Sequence, residues 1–251
     1  MTAAPAPGEP PILAEGEELA PGYRVVELLS RGQAMDVYEV YSEKHWCNLI
    51  AKTIRPDRKE PRVRRRLLNE GDVLSRVNHP HLARWIDTVR GPRPVVLTEI
   101  VYGDTLEEII EDSPRRMSAK SLEVLAQQLR SALHALHQIG ILHLDVRPAN
   151  IINRAGTAVL IDLSIARPPG RVPRGYGTPG FMPPEQRSGG FVTEASDAWA
   201  LAMTLYVAAT GVLPDPDQPI PSIRTHRRLP RELADYIDQE VCVARPAPAV
   251  Y

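Results

Sequence analysis

The amino-acid sequence predicts an α+β fold of two lobes, the first rich in strands with a single helix and the second helical. Three observations carry that reading. Short runs rich in β-branched and aromatic residues crowd the first hundred or so positions. Beyond Tyr102-Gly103-Asp104 the apolar residues take up helical spacing. The chain of 251 residues, 43% of them hydrophobic, can bury a core without staples and suits one large domain or two small lobes.

Residues 1–21, with Pro5, Pro7, Pro10, Pro11 and Pro21 among small and acidic residues, read as a flexible leader. Strands are expected at Tyr23–Leu29, Val37–Tyr41 and Asn48–Ile54, as an antiparallel meander. Arg62–Val77 reads as a helix with Leu67, Leu74 and Val77 on one face, followed by strands near His81–Ile86 and Pro94–Ile100. The first lobe thus spans residues 22–100 and the second 101–251. In the second, Ser118–His137 carries Leu122, Leu125, Leu129, Leu133 and Leu136 on one face, with Gly140 as a stop. Thr193–Thr210 is apolar enough to be a buried helix ended by Gly211, and Arg228–Val241 is a further amphipathic helix. A cleft between such lobes is where ligands prefer to sit.

Composition removes several function classes. With 30 basic against 31 acidic side chains the net charge is -1, which gives no electrostatic case for nucleic acid or an anionic membrane. Cys47 and Cys242 cannot build a disulfide framework or a four-ligand zinc site, so a reducing, cytoplasmic setting is expected. Met1-Thr-Ala-Ala-Pro-Ala-Pro lacks the basic start and apolar run of a signal peptide. The apolar stretch around Ala198–Ala209 is shorter than the ~20 residues of a membrane helix. Of the basic residues 26 are Arg and only 4 are Lys, so each lysine draws notice.

Two polar segments follow short apolar runs: His143-Leu-Asp-Val-Arg-Pro-Ala-Asn150 after Ile141-Leu142, and Ile161-Asp-Leu-Ser164 after Ala158–Ile161. Asp145 and Asp162, 17 positions apart, can converge from strand ends on one site. A turn rich in Asp and Asn would account for either segment alone but not for both at this spacing. Lys52, inside the apolar run Leu49-Ile-Ala-Lys-Thr, is out of place for a surface lysine. Glu70 shares the apolar face of the Arg62–Val77 helix and needs a cation to offset its desolvation, which Lys52 can supply.

These segments resemble a eukaryotic-type serine/threonine protein kinase domain, of the kind also found in bacteria, from about Tyr23 to Pro246. The resemblance implies a two-lobed protein-kinase-like fold, ATP and Mg²⁺ as cofactors and a protein hydroxyl as substrate. It makes Asp145 the acceptor of the hydroxyl proton, Asn150 and Asp162 the magnesium ligands, and Lys52, paired with Glu70, the holder of the α- and β-phosphates. Arg147 stands where the family usually has a lysine facing the γ-phosphate. The nucleotide would lie against Gly32, Val37, Ile50, Lys52, Glu99 and Val101. His143, Asp197 and the activation segment, Asp162 to Glu185 with Thr178 near its end, belong to the same pattern. Arg245 resembles the late arginine that pairs with Glu185. Aminoglycoside and choline kinases share the His-x-Asp loop but lack this segment, and Arg147-Pro148 with Thr178-Pro179 favours serine or threonine over tyrosine.

The sequence also departs from the family. Aligned on Val37, the three expected glycines fall on Ser30, Gly32 and Met35, so only the middle one remains, and a plain β-turn accounts for it equally well. Ile50 replaces a small alanine and adds bulk beside the adenine. Leu163-Ser164 replace Phe-Gly. Leu144 replaces the arginine that clasps an activation-loop phosphate, and Ile165 to Gly177 contains no Ser or Thr, only Tyr176. Both halves of a phosphorylation switch are missing together. Only the short stretch between Gly211 and Leu229 is left for a substrate-side helix, so that helix is expected to be absent or shortened and the second lobe to be shortened at its C-terminal end. The polar set needed for transfer favours an active kinase that needs no activation-loop phosphorylation. Ser30, Met35, Ile50 and Ser164 leave open a pseudokinase that binds nucleotide or scaffolds partners.

Overall fold

A computed structural model describes residues 10–112, 116–215 and 218–242. The chain divides into two compact units, one holding residues up to Asn78 together with Ala83–Ile100, the other His79–Leu82 and the residues from Val101 onward.

The first unit is built on β1 (Glu18–Ala20), β2 (Tyr23–Arg31), β3 (Met35–Ser42), β4 (Cys47–Ile54), α1 (Pro61–Leu74), β5 (Trp85–Val89) and β6 (Val95–Thr98). Its strands form one antiparallel sheet in the order β1-β2-β3-β4-β6-β5. Alternation along β2, β3 and β4 sends Val25, Tyr38, Val40, Leu49 and Ala51 to one face, where they meet Val95 and Leu97 of β6. The segment expected to be a flexible leader is packed from Pro10 onward. Ile12 and Leu13 lie against that core, Leu19 and Ala20 are buried in it, and the Arg31 guanidinium donates to the Pro10 carbonyl. Prolines hid four apolar side chains with a place to go.

Pro61 opens α1 at a position where a missing N–H costs nothing. The helix buries Val63, Leu67, Val73 and Leu74 against the sheet. It stops at Leu74 rather than at the expected Val77. A Cβ on Gly71 would sit 2.5 Å from Thr88 Oγ1 and 3.1 Å from Val96, so the glycine lets the helix approach the sheet closely. The strand expected at His81–Ile86 runs instead from Trp85 to Val89, because His81 and Leu82 belong to the second unit. There the His81 carbonyl accepts from Leu160 N–H, and its Nδ1 hydrogen-bonds the Ala158 carbonyl.

The second unit contains β7 (Asp104–Thr105), α2 (Leu106–Asp112), α3 (Ala119–Gln138), a 3-10 turn at Pro148–Asn150, β8 (Ile151–Arg154) and β9 (Thr157–Leu160). Then come β10 (Gly170–Arg171), α4 (Pro184–Ser188), β11 (Phe191–Val192), α5 (Glu194–Thr210), a second 3-10 turn at Ile223–Thr225 and α6 (Arg231–Val241). Ser118 caps α3 by accepting from Ser121 N–H, and Leu122, Leu125, Leu129, Leu133 and Leu136 are buried. α5 is buried on nearly every side, packs on α3 and α6, and ends at Gly211 with φ +72°. α6 starts three residues later than expected, after Pro230. Between Gly211 and Pro230 the described residues form only the Ile223–Thr225 turn. Among the described residues no helix is long and apolar enough to cross a membrane.

Candidate active site

In the first unit, antiparallel register places Lys52 of β4 between Val37 of β3 and Val96 of β6. Lys52 Nζ lies 2.9 Å from Glu70 Oε1 and 3.2 Å from Oε2, with the glutamate side chain only 5% exposed. Ile50, two residues along the same strand, is half-buried opposite Glu39 and Thr98. Glu99 is tied to Arg84 through both main chain and side chain: its N–H donates to the Arg84 carbonyl, and its Oε1 accepts from Arg84 N–H. Gly32 sits at the β2–β3 turn, where its N–H donates to the Met35 carbonyl at 2.8 Å.

The second unit carries Val101, which is buried, and the remaining polar residues. β8 and β9 pair with Ile151 opposite Leu160, and Ile161 N–H donates to the Asn150 carbonyl at 2.9 Å. Asn150 and Asp162 therefore leave the open end of one hairpin side by side. Asp162 adopts φ +64°, and its Oδ1 accepts from Ser164 N–H at 3.0 Å. Asn150 Nδ2 donates to the Asp145 carbonyl and to Asp145 Oδ2, each at 2.9 Å. Thr178 Oγ1 donates to Asp145 Oδ1 at 2.6 Å. Asp145 is thus oriented through both carboxylate oxygens. The Arg147 guanidinium has no ion-pair partner among the described residues.

The backbone beneath Asp145 hangs on Asp197, which is fully buried at the start of α5. Its Oδ2 accepts from His143 N–H at 2.9 Å and meets His137 Nε2 at 2.8 Å, and its Oδ1 accepts from Leu144 N–H at 2.8 Å. Those bonds hold Leu144 at φ +65°, a conformation that costs a leucine about 1–3 kcal/mol. His143 Nδ1 accepts in turn from Asp145 N–H at 3.3 Å. The Leu144 side chain is 1% exposed and packs with Leu142, Ile165, Val172 and Val192, with Tyr176 against the cluster. Leu142 and Arg167 exchange backbone hydrogen bonds at 2.8 and 3.0 Å beside it.

Glu185 was expected to pair with Arg245, which lies outside the described residues. Its Oε1 accepts from Ser196 Oγ at 2.7 Å. Three residues of this framework were not anticipated from sequence: His137, Ser196 and Gln186. Gln186 is fully buried, and its Nε2 donates to the carbonyls of Leu144 (2.8 Å) and Tyr176. A Cβ on Gly177 would collide with that Nε2, so only glycine fits there.

The donor set suits a hard divalent cation shared with phosphates. Asn150 spends its amide nitrogen on Asp145, which leaves Oδ1 for a metal, and Asp162 adds a carboxylate. Among the described residues no three His, Cys, Asp or Glu side chains converge into an all-protein cage.

The sequence profile of the protein kinase domain matches residues 23–239. The chain is 30% identical over 225 residues to serine/threonine-protein kinase PknB of Mycobacterium tuberculosis, covering 84% of this chain and 36% of that protein. It is 30% identical over 209 residues to PknB of Mycobacterium leprae, covering 78% and 33%. To human myosin light chain kinase 3 it is 29% identical over 222 residues, covering 84% and 27%. The chain spans about a third of the length of the curated relatives it matches.

Proposed function

The chain belongs to the protein kinase family, and from that premise we propose that it transfers the γ-phosphoryl group of ATP to a serine or threonine hydroxyl of a protein, without phosphorylation of its activation segment. The observation that carries the proposal is the Asp145 carboxylate, held at one oxygen by Thr178 and at the other by Asn150. A carboxylate fixed in this way can accept the proton of an attacking hydroxyl. Asn150 Oδ1 and Asp162 would hold Mg²⁺, which when bound offsets charge on the phosphates. Lys52, paired with Glu70, would supply a second cation for phosphate oxygens. Arg147 brings a further positive charge two residues from Asp145.

The apolar cluster around Leu144 supports independence from phosphorylation. Where the family has an arginine awaiting a phosphate, a leucine packs against Ile165, Val172 and Tyr176 of the segment itself. A buried apolar contact needs no modification to form. Free thiols on Cys47 and Cys242 support a cytoplasmic setting.

A second reading, a pseudokinase that binds nucleotide with little transfer, draws on Ser30, Met35 and Ser164 in glycine positions and on Ile50 beside the base. Radiolabel transfer from ATP to a generic protein, with Asp145→Asn as control and with phosphatase-treated enzyme alongside, separates the readings. Turnover that is lost in Asp145→Asn and unchanged by phosphatase is expected. Binding of ATP without transfer would favour the pseudokinase. A large drop after phosphatase, mapped to Tyr176, would remove the claim of phosphorylation independence.

A further inference from the structure

The β2–β3 turn poses a problem for the proposed reaction: it has one glycine where phosphate-cradling loops use three, yet its peptide groups are not left to wander. The Gly32 carbonyl accepts from Arg55 Nη1 at 3.1 Å, the Gln33 carbonyl from Arg58 Nε at 2.9 Å, and the Ala34 carbonyl from Arg55 N–H at 3.1 Å. Three successive carbonyls are thus drawn toward the chain that follows β4. In a planar trans peptide the N–H of each next residue points the opposite way. The N–H groups of Gln33 and Ala34 accordingly face away from the arginines, and neither has a partner among the described residues.

The arginines are themselves fixed. Arg55 is 7% exposed and forks onto Asp57, with Nε and Nη2 each 3.0 Å from a carboxylate oxygen. That hydrogen bond holds the Asp57 carboxyl below the usual carboxylate range. Across the hairpin, Arg31 forks onto buried Asp36 at 2.8 and 2.9 Å. No residue from Ser30 to Asp36 has a positive φ, so serine and methionine fit at positions 30 and 35 without strain. Gly32 serves closeness alone, since a Cβ there would lie 3.2 Å from the Met35 carbonyl oxygen, a tight contact.

We propose that Arg55 and Arg58 are positioning residues for the nucleotide phosphates: by holding the carbonyls of the turn, they present the Gln33 and Ala34 N–H groups as an anion-binding nest in place of the missing glycines. The proposal rests on the kinase reading. A glycine loop finds its N–H orientation when the anion arrives; here the orientation is built beforehand, which lowers the ordering cost of binding.

The test is calorimetry of ATP and of adenosine, which lacks phosphates, on the parent chain and on Arg58→Ala, Arg55→Ala and Arg55→Lys. Losing one oriented charge-assisted contact predicts ATP binding about tenfold weaker in each variant. Adenosine affinity should stay within about twofold, because the adenine side is untouched. Arg55→Lys keeps the charge but cannot serve both Asp57 and the Gly32 carbonyl, so it should weaken ATP as Arg55→Ala does. Arg58 is exposed, so its variant reports even if the Arg55 variants fold poorly. Full ATP affinity in Arg58→Ala, equal losses for ATP and adenosine, or rescue by Arg55→Lys would overturn the proposal alone. A parent chain that binds neither ligand would overturn the kinase reading with it.

Discussion

Replacing Leu144 with alanine tests how the activation segment is held in place. The side chain is 1% exposed within the cluster of Leu142, Ile165, Val172 and Val192, so its truncation removes buried methyl groups and leaves a cavity. Such a change costs about 3–5 kcal/mol in a packed core. The backbone strain at position 144 is the same for alanine as for leucine, so it does not offset that cost. Within the segment the loss falls on the contacts that close it against the catalytic loop, bordered by the Leu142–Arg167 hydrogen bonds at 2.8 and 3.0 Å. If the segment opens as a local unit, its opening equilibrium rises by about 10²- to 5 × 10³-fold. Hydrogen exchange followed by mass spectrometry reads this directly: amides of residues 142 and 165–177 should lose protection while those in the middle of α3 keep theirs. Turnover should fall together with segment protection, and phosphatase should alter neither. Unchanged protection across the segment, or an equal loss throughout α3 and α5, would refute the idea that this cluster is a local anchor.

Three further outcomes follow from the geometry. Asp162→Asn should lower magnesium-dependent transfer about hundredfold or more while leaving the melting temperature near that of the parent, because the change removes charge where phosphate and metal charge must be met; activity within tenfold would exclude the assignment. Ile50→Ala should tighten ATP binding about 5- to 150-fold if the isoleucine crowds the base, the range set by a 1–3 kcal/mol overpacking cost, and calorimetry showing equal or weaker binding would dismiss crowding. Asp238 is partly desolvated, which raises its pKa, but hydrogen bonds from Ser222 Oγ and Ile223 N–H and the Arg224 contact outweigh this and lower it. A carboxyl depressed in the fold contributes stability that is present above its unfolded value, near pH 4, and lost as pH falls through the folded value. Acid titration of melting temperature should therefore be flatter below about pH 4 in Asp238→Asn, and identical slopes would contradict it.

Legibility in the sequence tracked the range of the interaction involved. Helices α3 and α5 were readable because a periodic apolar face and a cap are local facts: Leu122 to Leu136, Ser118 and Gly211 lie within or beside their own elements. The strands β2, β3 and β4 were readable from alternation, though their ends moved. Elements that exist only through distant partners were not foreseen. β1 pairs locally with β2, but its Leu19 and Ala20 are buried in a core that also holds Val95 and Leu97 from far along the chain, and β10 pairs with β11 across some twenty residues. The wrong placement at His81–Ile86 has the same cause: His81 and Leu82, the first two residues of that stretch, answer to the other unit. In the site, Lys52 and Glu70 were paired from local reasoning about a lysine in a strand and a glutamate on an apolar face. Gln186 and His137 could not be found that way, since nothing in their neighbourhoods says that Leu144 or Asp197 will be beside them.

The β8–β9 hairpin acts as a ruler for whatever Asn150 and Asp162 hold. The two residues are separated by strands of four residues each and a tight turn at Ala155-Gly156, both with positive φ. Their spacing is therefore set by strand pairing, with no help required from an ion. A slip of one residue in that pairing would set Asn150 opposite a different neighbour and turn every side chain of the slipped strand to the other face. Insertions that merely enlarge the turn leave the open end unchanged, whereas an inserted residue within either strand displaces Asn150 against Asp162. Lengthening at Ala155-Gly156 and lengthening at Asn153 should thus have opposite fates under selection for activity, although the two positions lie only a few ångströms apart along the chain.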